Sequence, residues 1–337
     1  MRNLFAIMTQ KLRAGEDLVL VTVIASSGAT PRGVGARMLV GREGRICGTI
    51  GGGAVEYRSE HIAAEVLRDK ASEERDFSLT KDDVKNLGMI CGGAVNIFFR
   101  FIPGGDAQTL AVADEAEHLF SQGRDIWLIS EISDGGRLGL WSSEGGFFGI
   151  DAPAWVREAL TRHTVRLTRD GRDFYAEQIH SSGRVYVFGC GHVGQELVPV
   201  LTHVGFRCVA LDDRPEFACR ALFPDAEEVM VIDMNDVAKY APIGPEDYVC
   251  VMTRGHAFDT LIQAQVLKTP ACYIGVIGSQ AKKAGVFETL HAMGFTQADT
   301  NRITTPIGLK IGAETPAEIA ISIAAQMIAV RARRNAM

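Results

Sequence analysis

The chain has 337 residues, of which 47% are hydrophobic and 23% are charged, a composition typical of a folded globular protein and too apolar for disorder. At about 150 residues per domain, this length predicts about two domains, each able to bury a core of its own. The formal net charge of −6 excludes the positive field that nonspecific nucleic-acid binding needs, so we expect no nucleic-acid partner.

The sequence also predicts no membrane association. The N-terminal apolar run, residues 4–8, lacks a cleavage pattern after it. The most apolar stretch, residues 319–330, is interrupted by Ser322 and Gln326 and is shorter than the ~20 residues of a membrane span. Seven cysteines without a CxxC pair indicate reduced thiols rather than a disulfide framework or a zinc site. We therefore expect a cytoplasmic protein.

Residues 1–180 alternate helical and strand patterns around a glycine-dense stretch, and we interpret them as an N-terminal α/β domain. The patterns predict helices over residues 2–14, 54–70 and 106–122, and strands over residues 18–25, 45–50, 87–100 and 125–131. Glycine-rich, hairpin-like sequence continues to Gly149.

Two segments of this first domain carry candidate anion-binding residues. Gly51, Gly52 and Gly53 follow a strand and precede a helix, so their backbone N–H groups can cradle a phosphate, although three glycines can equally serve close backbone packing. Arg32 and Arg37 are expected in a loop of small residues, where they can grip an anion or simply be solvated.

A third segment contains a cysteine beside two small residues. Cys91 is followed by Gly92 and Gly93, which would leave its sulfur accessible as a soft ligand or a sulfur carrier. The alternative is an inert cysteine in the core of a strand.

From residue 184 the pattern changes to a strand, a glycine-rich turn and a helix over residues 195–204. In this GxGxxG fingerprint, Gly189 permits a tight turn, Gly191 lets the backbone approach a pyrophosphate, and Gly194 allows the helix to pack closely on the strand. The start of the helix supplies free N–H groups to an anion, and His192 within the fingerprint is a further candidate for binding the cofactor. The fingerprint therefore predicts a phosphate or nucleotide site.

The strands that follow predict a doubly wound sheet. The second strand, residues 207–212, ends on Asp212, 23 positions after Gly189, where a dinucleotide fold places a ribose-binding carboxylate; a local ion pair with Arg214 is the alternative. Further strands are predicted over residues 228–233, 247–253 and 271–277, with room for crossover helices between them. We therefore predict a Rossmann-like domain with a parallel sheet over residues 181–337.

Residues after the fourth and fifth strands of this domain are candidates for a ligand crevice, since open α/β sheets bind ligands at this edge. Arg254 can hold an anion, His256 can exchange protons, and Asp259 can orient that histidine. Gly278 and Ser279 follow the fifth strand. An ordinary network of loop hydrogen bonds explains these residues equally well.

A C-terminal helix is predicted from a capping box. Thr315 is the expected cap, Pro316 suits the first helical position, and Glu318 completes the box. The helix should reach about Arg334. Its expected core stripe consists of Ile319, Ala320, Ile323, Ala324, Met327 and Ile328.

Taken together, these segments resemble the XdhC/CoxF family, the accessory and maturation factors of xanthine and carbon monoxide dehydrogenases. The resemblance rests on motifs in one order: residues 28–56, Cys91-Gly92-Gly93, residues 189–194, Asp212-Asp213-Arg214, residues 253–256, residues 275–279 and residues 306–322. The sequence departs from the family pattern at Cys190, Gln280 and Gln326.

The resemblance implies a protein that binds molybdenum cofactor (molybdopterin), supports its sulfuration with a cysteine desulfurase and delivers it to an apo-molybdenum hydroxylase. Molybdopterin carries a phosphate, which suits a glycine-rich helix start, and molybdenum is thiophilic, which makes Cys91 a candidate molybdenum contact. We therefore expect a cofactor chaperone that is non-catalytic or only weakly catalytic.

Two other functions are compatible with the residues alone. The first is an NAD(P)-dependent oxidoreductase, in which the fingerprint binds NAD(P) or another nucleotide and His256 acts as acid or base. The second is a scaffold that binds only proteins. The sequence does not decide the oligomeric state, so a homodimer stays open.

Overall fold

The computed structural model describes residues 2–28, 32–78, 93–180, 183–254 and 258–335. The chain forms two compact units, Met1–Ser181 and Ser182–Met337. Helices and strands are numbered below in chain order over the described residues.

The first unit contains, in its described part, two antiparallel sheets of five strands. The strands of the first sheet are β1 (Leu18–Ser27), β2 (Arg37–Gly41), β3 (Gly44–Thr49), β4 (Glu73–Ser78) and β5 (Ala94–Ile102). The strands of the second sheet are β6 (Ile126–Glu131), β7 (Arg137–Ser142), β8 (Gly146–Phe148), β9 (Val165–Arg169) and β10 (Arg172–His180). The strand orders are β3-β2-β1-β5-β4 and β8-β7-β6-β10-β9.

The helices of the first unit are α1 (Arg2–Arg13), α2 (Gly53–Asp69), α3 (Ala107–Ser121) and α4 (Ala154–Glu158), among the described residues. Strand β1 is apolar at nearly every position because both of its faces are buried. Leu18 and Leu20 pack with α1, α3 and the second sheet, whereas Val19 and Val21 pack with α2. The second sheet was not predicted as a unit, and the strand predicted over residues 87–100 is observed at Ala94–Ile102, with residues 79–92 outside the described part.

The second unit is built on a parallel sheet, as the sequence predicted. Its strands are β11 (Arg184–Phe188), β12 (Arg207–Asp212), β13 (Glu228–Val231), β14 (Tyr248–Val251), β15 (Tyr273–Val276) and β16 (Ile303–Thr304). Its helices, over the described residues, are α5 (His192–His203), α6 (Val237–Tyr240), α7 (Asp259–Val266), α8 (Gln280–Ala292), α9 (Gln297–Thr300) and α10 (Pro316–Asn335).

The strand order β13-β12-β11-β14-β15-β16 confirms the doubly wound topology. In this order the direction of winding reverses between β11 and β14, and sheets of this class open a crevice at the carboxyl ends of the strands flanking that point. Strand β16 was not predicted, because two residues are too few to give a strand pattern.

Helix α10 confirms the predicted capping box and most of the predicted stripe. The Thr315 N–H donates to Glu318 Oε2 at 2.9 Å and the Glu318 N–H to Thr315 Oγ1 at 3.3 Å. Buried residues of the helix include Ala320, Ile323, Ala324 and Met327. Ile328, however, is 39% exposed, because it lies on the same face as the exposed Ile321, two turns away. The prediction that Ile328 is a core residue was therefore wrong.

Among the described residues, no helix is both long enough and apolar enough to cross a membrane.

Candidate functional site

A cleft of about 810 Å³ lies in the second unit at the point where the winding of the sheet reverses. It is lined by residues 191–194 of the fingerprint, by Arg214 after β12, by residues 252–254 after β14 and by residues 277–279 after β15. The cleft therefore brings together the predicted residues Gly191, His192, Gly194, Arg254, Gly278 and Ser279.

The three fingerprint glycines have different physical reasons to be glycine. A Cβ on Gly189, whose φ is +117°, would lie 2.3 Å from the Met252 carbonyl oxygen, and a Cβ on Gly194 would lie 2.3 Å from the Gly189 carbonyl oxygen. Both glycines are therefore required by the packing of the fold. Gly191 is different: its φ of −73° suits any residue, and a Cβ there meets no described atom within 4 Å. It opens onto the cleft, where a side chain would take up part of the open volume.

The electrostatics of the cleft favour an anion. Helix α5 begins at its edge with Gly191 as the cap, so no side chain caps its first N–H groups. Helix α8 begins at the same cleft, and within the described residues the Ser279 side chain makes no capping hydrogen bond. The exposed Arg254 adds positive charge, and no Asp or Glu is among the described lining residues. Arg214 presents a guanidinium to the cleft, but its charge is balanced by its ion pair with Asp212. Helix N-termini and guanidinium groups together are suited to phosphate.

Asp212 is 2% exposed and is not among the residues that line the cleft. Its Oδ2 accepts from the Cys190 N–H at 2.7 Å and from Arg214 Nη2 at 3.0 Å. Its Oδ1 accepts from the N–H of Arg214 at 3.1 Å and from Arg214 Nε at 2.8 Å. Burial favours a raised pKa, but the hydrogen bonds from Arg214 and Cys190 outweigh it and the pKa of Asp212 is lowered.

This arrangement bears on the ribose contact expected of Asp212. A carboxylate offers about four acceptor positions, and four protein donors occupy them, so a ribose hydroxyl would have to displace one. The arginine that Asp212 fixes lines the cleft, stacked on Phe217 with its Cζ 3.9 Å from the ring centroid. The ion pair between Asp212 and Arg214, which the sequence offered as the alternative to a ribose contact, is thereby confirmed. Arg214 and Phe217 line the cleft but were not among the candidate site residues; the available signal was the Asp-x-Arg spacing at the end of the second strand.

The loop after β14 is fixed by Asp259. This buried carboxylate accepts from the Thr253 N–H at 3.1 Å and from Thr253 Oγ1 at 2.5 Å. His256 lies outside the described residues, so its orientation by Asp259 stays a prediction. Asp259 thereby fixes the backbone at Thr253, which lines the cleft beside Arg254.

In the first unit, the loop of Gly51, Gly52 and Gly53 already contains an anionic group from the protein. All three glycines have positive φ, at 126°, 74° and 63°. The N–H groups of Ile50 and Gly52 donate to Glu56 Oε2 at 3.0 and 3.1 Å.

The Thr49 hydroxyl and the Arg45 guanidinium also donate to the Glu56 carboxylate. Burial acts to raise the pKa of Glu56, yet these hydrogen bonds keep it below its usual value. Phosphate binding at this loop stays a prediction, and a phosphate there would compete with Glu56.

Arg37 differs from its predicted setting. It is the first residue of β2 rather than part of a loop, and its buried guanidinium forms an ion pair with Glu177 on β10. The prediction that Arg37 lies in one loop with Arg32 was therefore wrong, because Arg37 pairs with the carboxylate of a strand that is distant in sequence. Anion binding by these arginines stays a prediction. Arg32 is exposed.

The described cysteines, Cys47, Cys190, Cys208, Cys219, Cys250 and Cys272, all carry free thiols. Burial raises the pKa of Cys190 to about 12, which makes its thiol an unreactive packing group within the fingerprint. Cys91 and Gly92 lie outside the described residues, whereas Gly93 is half-buried immediately before β5. Among the described residues no cluster of three His, Cys, Asp or Glu side chains could hold a metal ion.

Comparison with known proteins gives two family matches, one in each unit. Residues 11–78 match the XdhC and CoxI family, and residues 185–327 match the XdhC Rossmann domain. The chain is 25% identical to a protein of Bacillus subtilis (strain 168) named as a probable subunit of xanthine dehydrogenase, over 99% of both chains.

Two further similarities extend over nearly the whole chain. The chain is 22% identical to the "molybdenum cofactor insertion chaperone PaoD" of Escherichia coli (strain K12), over 98% of this chain and 88% of that protein. A crystal structure described as a xanthine dehydrogenase from Bacillus halodurans superposes with a TM-score of 0.79 at 24% identity, covering 98% of this chain and 96% of the other. That similarity shows a shared fold.

Proposed function

This chain belongs to the XdhC and CoxI family, and from that membership we propose that it is a maturation factor that binds molybdenum cofactor and delivers it to a xanthine dehydrogenase-type hydroxylase. The names of two relatives, a molybdenum cofactor insertion chaperone and a probable xanthine dehydrogenase subunit, support this assignment.

The observation that carries the proposal is the position of Gly191. No described atom would obstruct a Cβ there and its backbone angles do not demand glycine, so neither packing nor strain explains the residue. A ligand approaching the backbone does explain it. The phosphate of molybdopterin matches the N–H groups of α5 and α8 and the charge of the exposed Arg254. The fixed guanidinium of Arg214 lines the same cleft.

Such a cleft suits a cargo that must be released. Its described lining provides hydrogen-bond donors and cations, whose interactions with phosphate are reversible and weaken with salt. We assign the cleft to the phosphate end of the cofactor. Cys91 stays a separate candidate for a molybdenum contact, proposed from the family resemblance. From the same resemblance we propose that the chain supports sulfuration of the cofactor together with a cysteine desulfurase.

A dinucleotide oxidoreductase has less support from the same residues. The ribose contact of such an enzyme would fall to Asp212, whose acceptor positions are filled by Arg214 and Cys190. We therefore propose binding without hydride transfer at this cleft.

The test is cofactor binding by the purified full chain. Gel filtration separates bound from free cofactor, and the molybdenum content and the pterin fluorescence of the protein fractions are measured. Gly191→Val should reduce the bound cofactor at least tenfold. Gly285→Val is the matched control, because Gly285 also has open space at its Cβ position but lies outside the cleft lining. Wild-type binding by a folded Gly191→Val protein would contradict the proposal.

A further inference from the structure

A second cavity, of about 390 Å³, lies wholly within the first unit. It is bounded by the end of β5, the start of α3 and the turn before β7. Its polar lining includes Arg100, Asp106, Gln108 and Arg137. None of these residues belongs to the cleft described above.

Arg100 is the unusual member of this lining, because it is a guanidinium only 4% exposed. Its Nη2 donates to Ser130 Oγ at 2.6 Å, whereas its Nε finds no acceptor among the described residues. Burial, together with the nearby charge of Arg37, lowers the pKa of Arg100 to about 9. The protein therefore buries this cation against a serine hydroxyl, with a like charge nearby.

In the described part of the first unit, the buried carboxylates all pair with other cations. Each of them forms its ion pair with an arginine other than Arg100: Glu56 with Arg45, Glu131 with Arg172, and Glu177 with Arg37. Burying a cation without a carboxylate is costly, and native structures normally supply a counter-charge. In the described part of the unit, Arg100 is a buried cation that lacks one.

One other boundary of the cavity suits a negative ligand, because Arg137 contributes a second guanidinium to the lining. Helix α3 also begins here, but its N-terminus is already capped, since the Asp106 side chain accepts from the Thr109 N–H at 2.8 Å. Asp106 is the one acidic residue among the described lining residues, and its interaction with the helix end offsets part of its charge. The two guanidinium groups, not the helix, therefore make the cavity suitable for an anion.

We propose that this cavity binds a small tetrahedral oxyanion, with Arg100 as its charged anchor and Arg137 as its second cation. Phosphate and molybdate are both tetrahedral oxyanions with negative charge, so the structure indicates this class of ligand. The experiment below identifies which anion binds. The site is independent of the proposed cofactor cleft, which lies in the other unit.

The test measures the thermal midpoint of the full chain in buffers of matched ionic strength containing chloride, phosphate, sulfate or molybdate. Wild-type protein should be stabilised by at least one tetrahedral anion, and the anion with the lowest half-saturating concentration identifies the source. Arg100→Met should raise that concentration at least tenfold, and Arg137→Gln should raise it at least threefold. Arg68→Gln, a change at an exposed arginine of α2, should leave it unchanged.

Two further controls deal with misfolding and with anion binding at the other site. If Arg100→Met fails to fold, Arg137→Gln alone tests the proposal, because Arg137 is exposed and its substitution should leave the fold intact. Repeating the titration in Gly191→Val removes any contribution from the cleft, and the anion effect should persist. The proposal is overturned if no anion stabilises the wild type, if Arg137→Gln binds as the wild type does, or if Gly191→Val alone abolishes the effect.

Discussion

Arg214 holds Asp212 through two parallel hydrogen bonds, from Nε to Oδ1 at 2.8 Å and from Nη2 to Oδ2 at 3.0 Å. The Cys190 N–H donates to the same carboxylate, so the pair links the turn after β11 to the end of β12. Because the guanidinium is fixed from behind, its remaining surface lines the cleft. A residue that the dinucleotide pattern assigns to ribose thus serves here to position an arginine.

Asp212→Asn should destabilise the protein by about 1.5–3 kcal/mol at pH 7, the usual range for hydrogen bonds to a charged group. Since the pKa of Asp212 is lowered in the folded state, its contribution is present above the unfolded-state pKa of about 3.9 and is lost as the pH falls through the folded value. Urea denaturation from pH 7 down to pH 3 should show the difference between wild type and variant shrinking at the acid end. Asp213→Asn is the control, and equal losses in both variants would contradict this role.

Changing Gly194 or Gly191 of the fingerprint to alanine should have different effects on the free energy of unfolding. Gly194→Ala places a Cβ 2.3 Å from the Gly189 carbonyl oxygen and should cost about 1–3 kcal/mol in the free energy of unfolding. Gly191→Ala meets no described atom within 4 Å and should change that free energy by no more than about 0.5 kcal/mol. Chemical denaturation measures both. A large loss of stability in Gly191→Ala would make this glycine architectural and remove the argument for a ligand.

Glu56→Gln should lower stability, because the neutral amide replaces a buried carboxylate that accepts from Ile50, Gly52, Thr49 and Arg45. We expect a loss of about 1.5–3 kcal/mol at pH 7. The pKa of Glu56 is lowered, so this loss should diminish as the pH falls below the ordinary glutamate value of about 4.3. Glu60→Gln, one turn later in α2, is the comparison, and an equal effect there would show that the loop does not depend on Glu56.

Cys91→Ser should weaken binding of molybdenum cofactor while leaving the thermal midpoint within a few degrees of the wild type. The change keeps the side-chain volume nearly constant but replaces a soft sulfur donor with a hard oxygen. Cofactor binding is measured by co-elution, with Cys47→Ser as a control at another thiol of the same unit. Unchanged cofactor binding by Cys91→Ser would show that the Cys91 sulfur does not contact the cofactor.

The second unit was predictable from sequence because its signals are local. The strand, glycine turn and helix of residues 184–204 have fixed spacing, and the capping box at Thr315 and Glu318 spans four residues. Positions of the site residues followed from the rule that ligands bind at the carboxyl ends of such strands. The pattern left two interpretations of Asp212 open, a ribose contact or a local ion pair with Arg214, and the structure shows the ion pair. The spacing could not choose between them, because the choice depends on how the Arg214 side chain folds back.

The first unit was harder to predict because its decisive contacts are distant in sequence. Arg37 pairs with Glu177 across 140 positions, and Arg100 bonds Ser130 of the other sheet. Neither partner can be read from spacing, so Arg37 was assigned to a loop and Arg100 was not singled out. Glu56 shows the same difficulty at short range, since a glycine-rich helix start has the same sequence pattern whether its anion is a ligand or a side chain.

Delivery of molybdenum cofactor by this chain is tested most directly by measuring the activation of an apo-molybdenum hydroxylase. Purified chain loaded with molybdenum cofactor is mixed with the apo-enzyme, and hydroxylase activity is measured beside NADH oxidation by the chain alone with aldehydes, oxo acids and purines. We predict activation by the wild type and by Gly285→Val, at least tenfold less by Gly191→Val, and no NADH oxidation. Steady NADH oxidation that is lost in His256→Ala, with no activation of the hydroxylase, would contradict the account and identify an oxidoreductase instead.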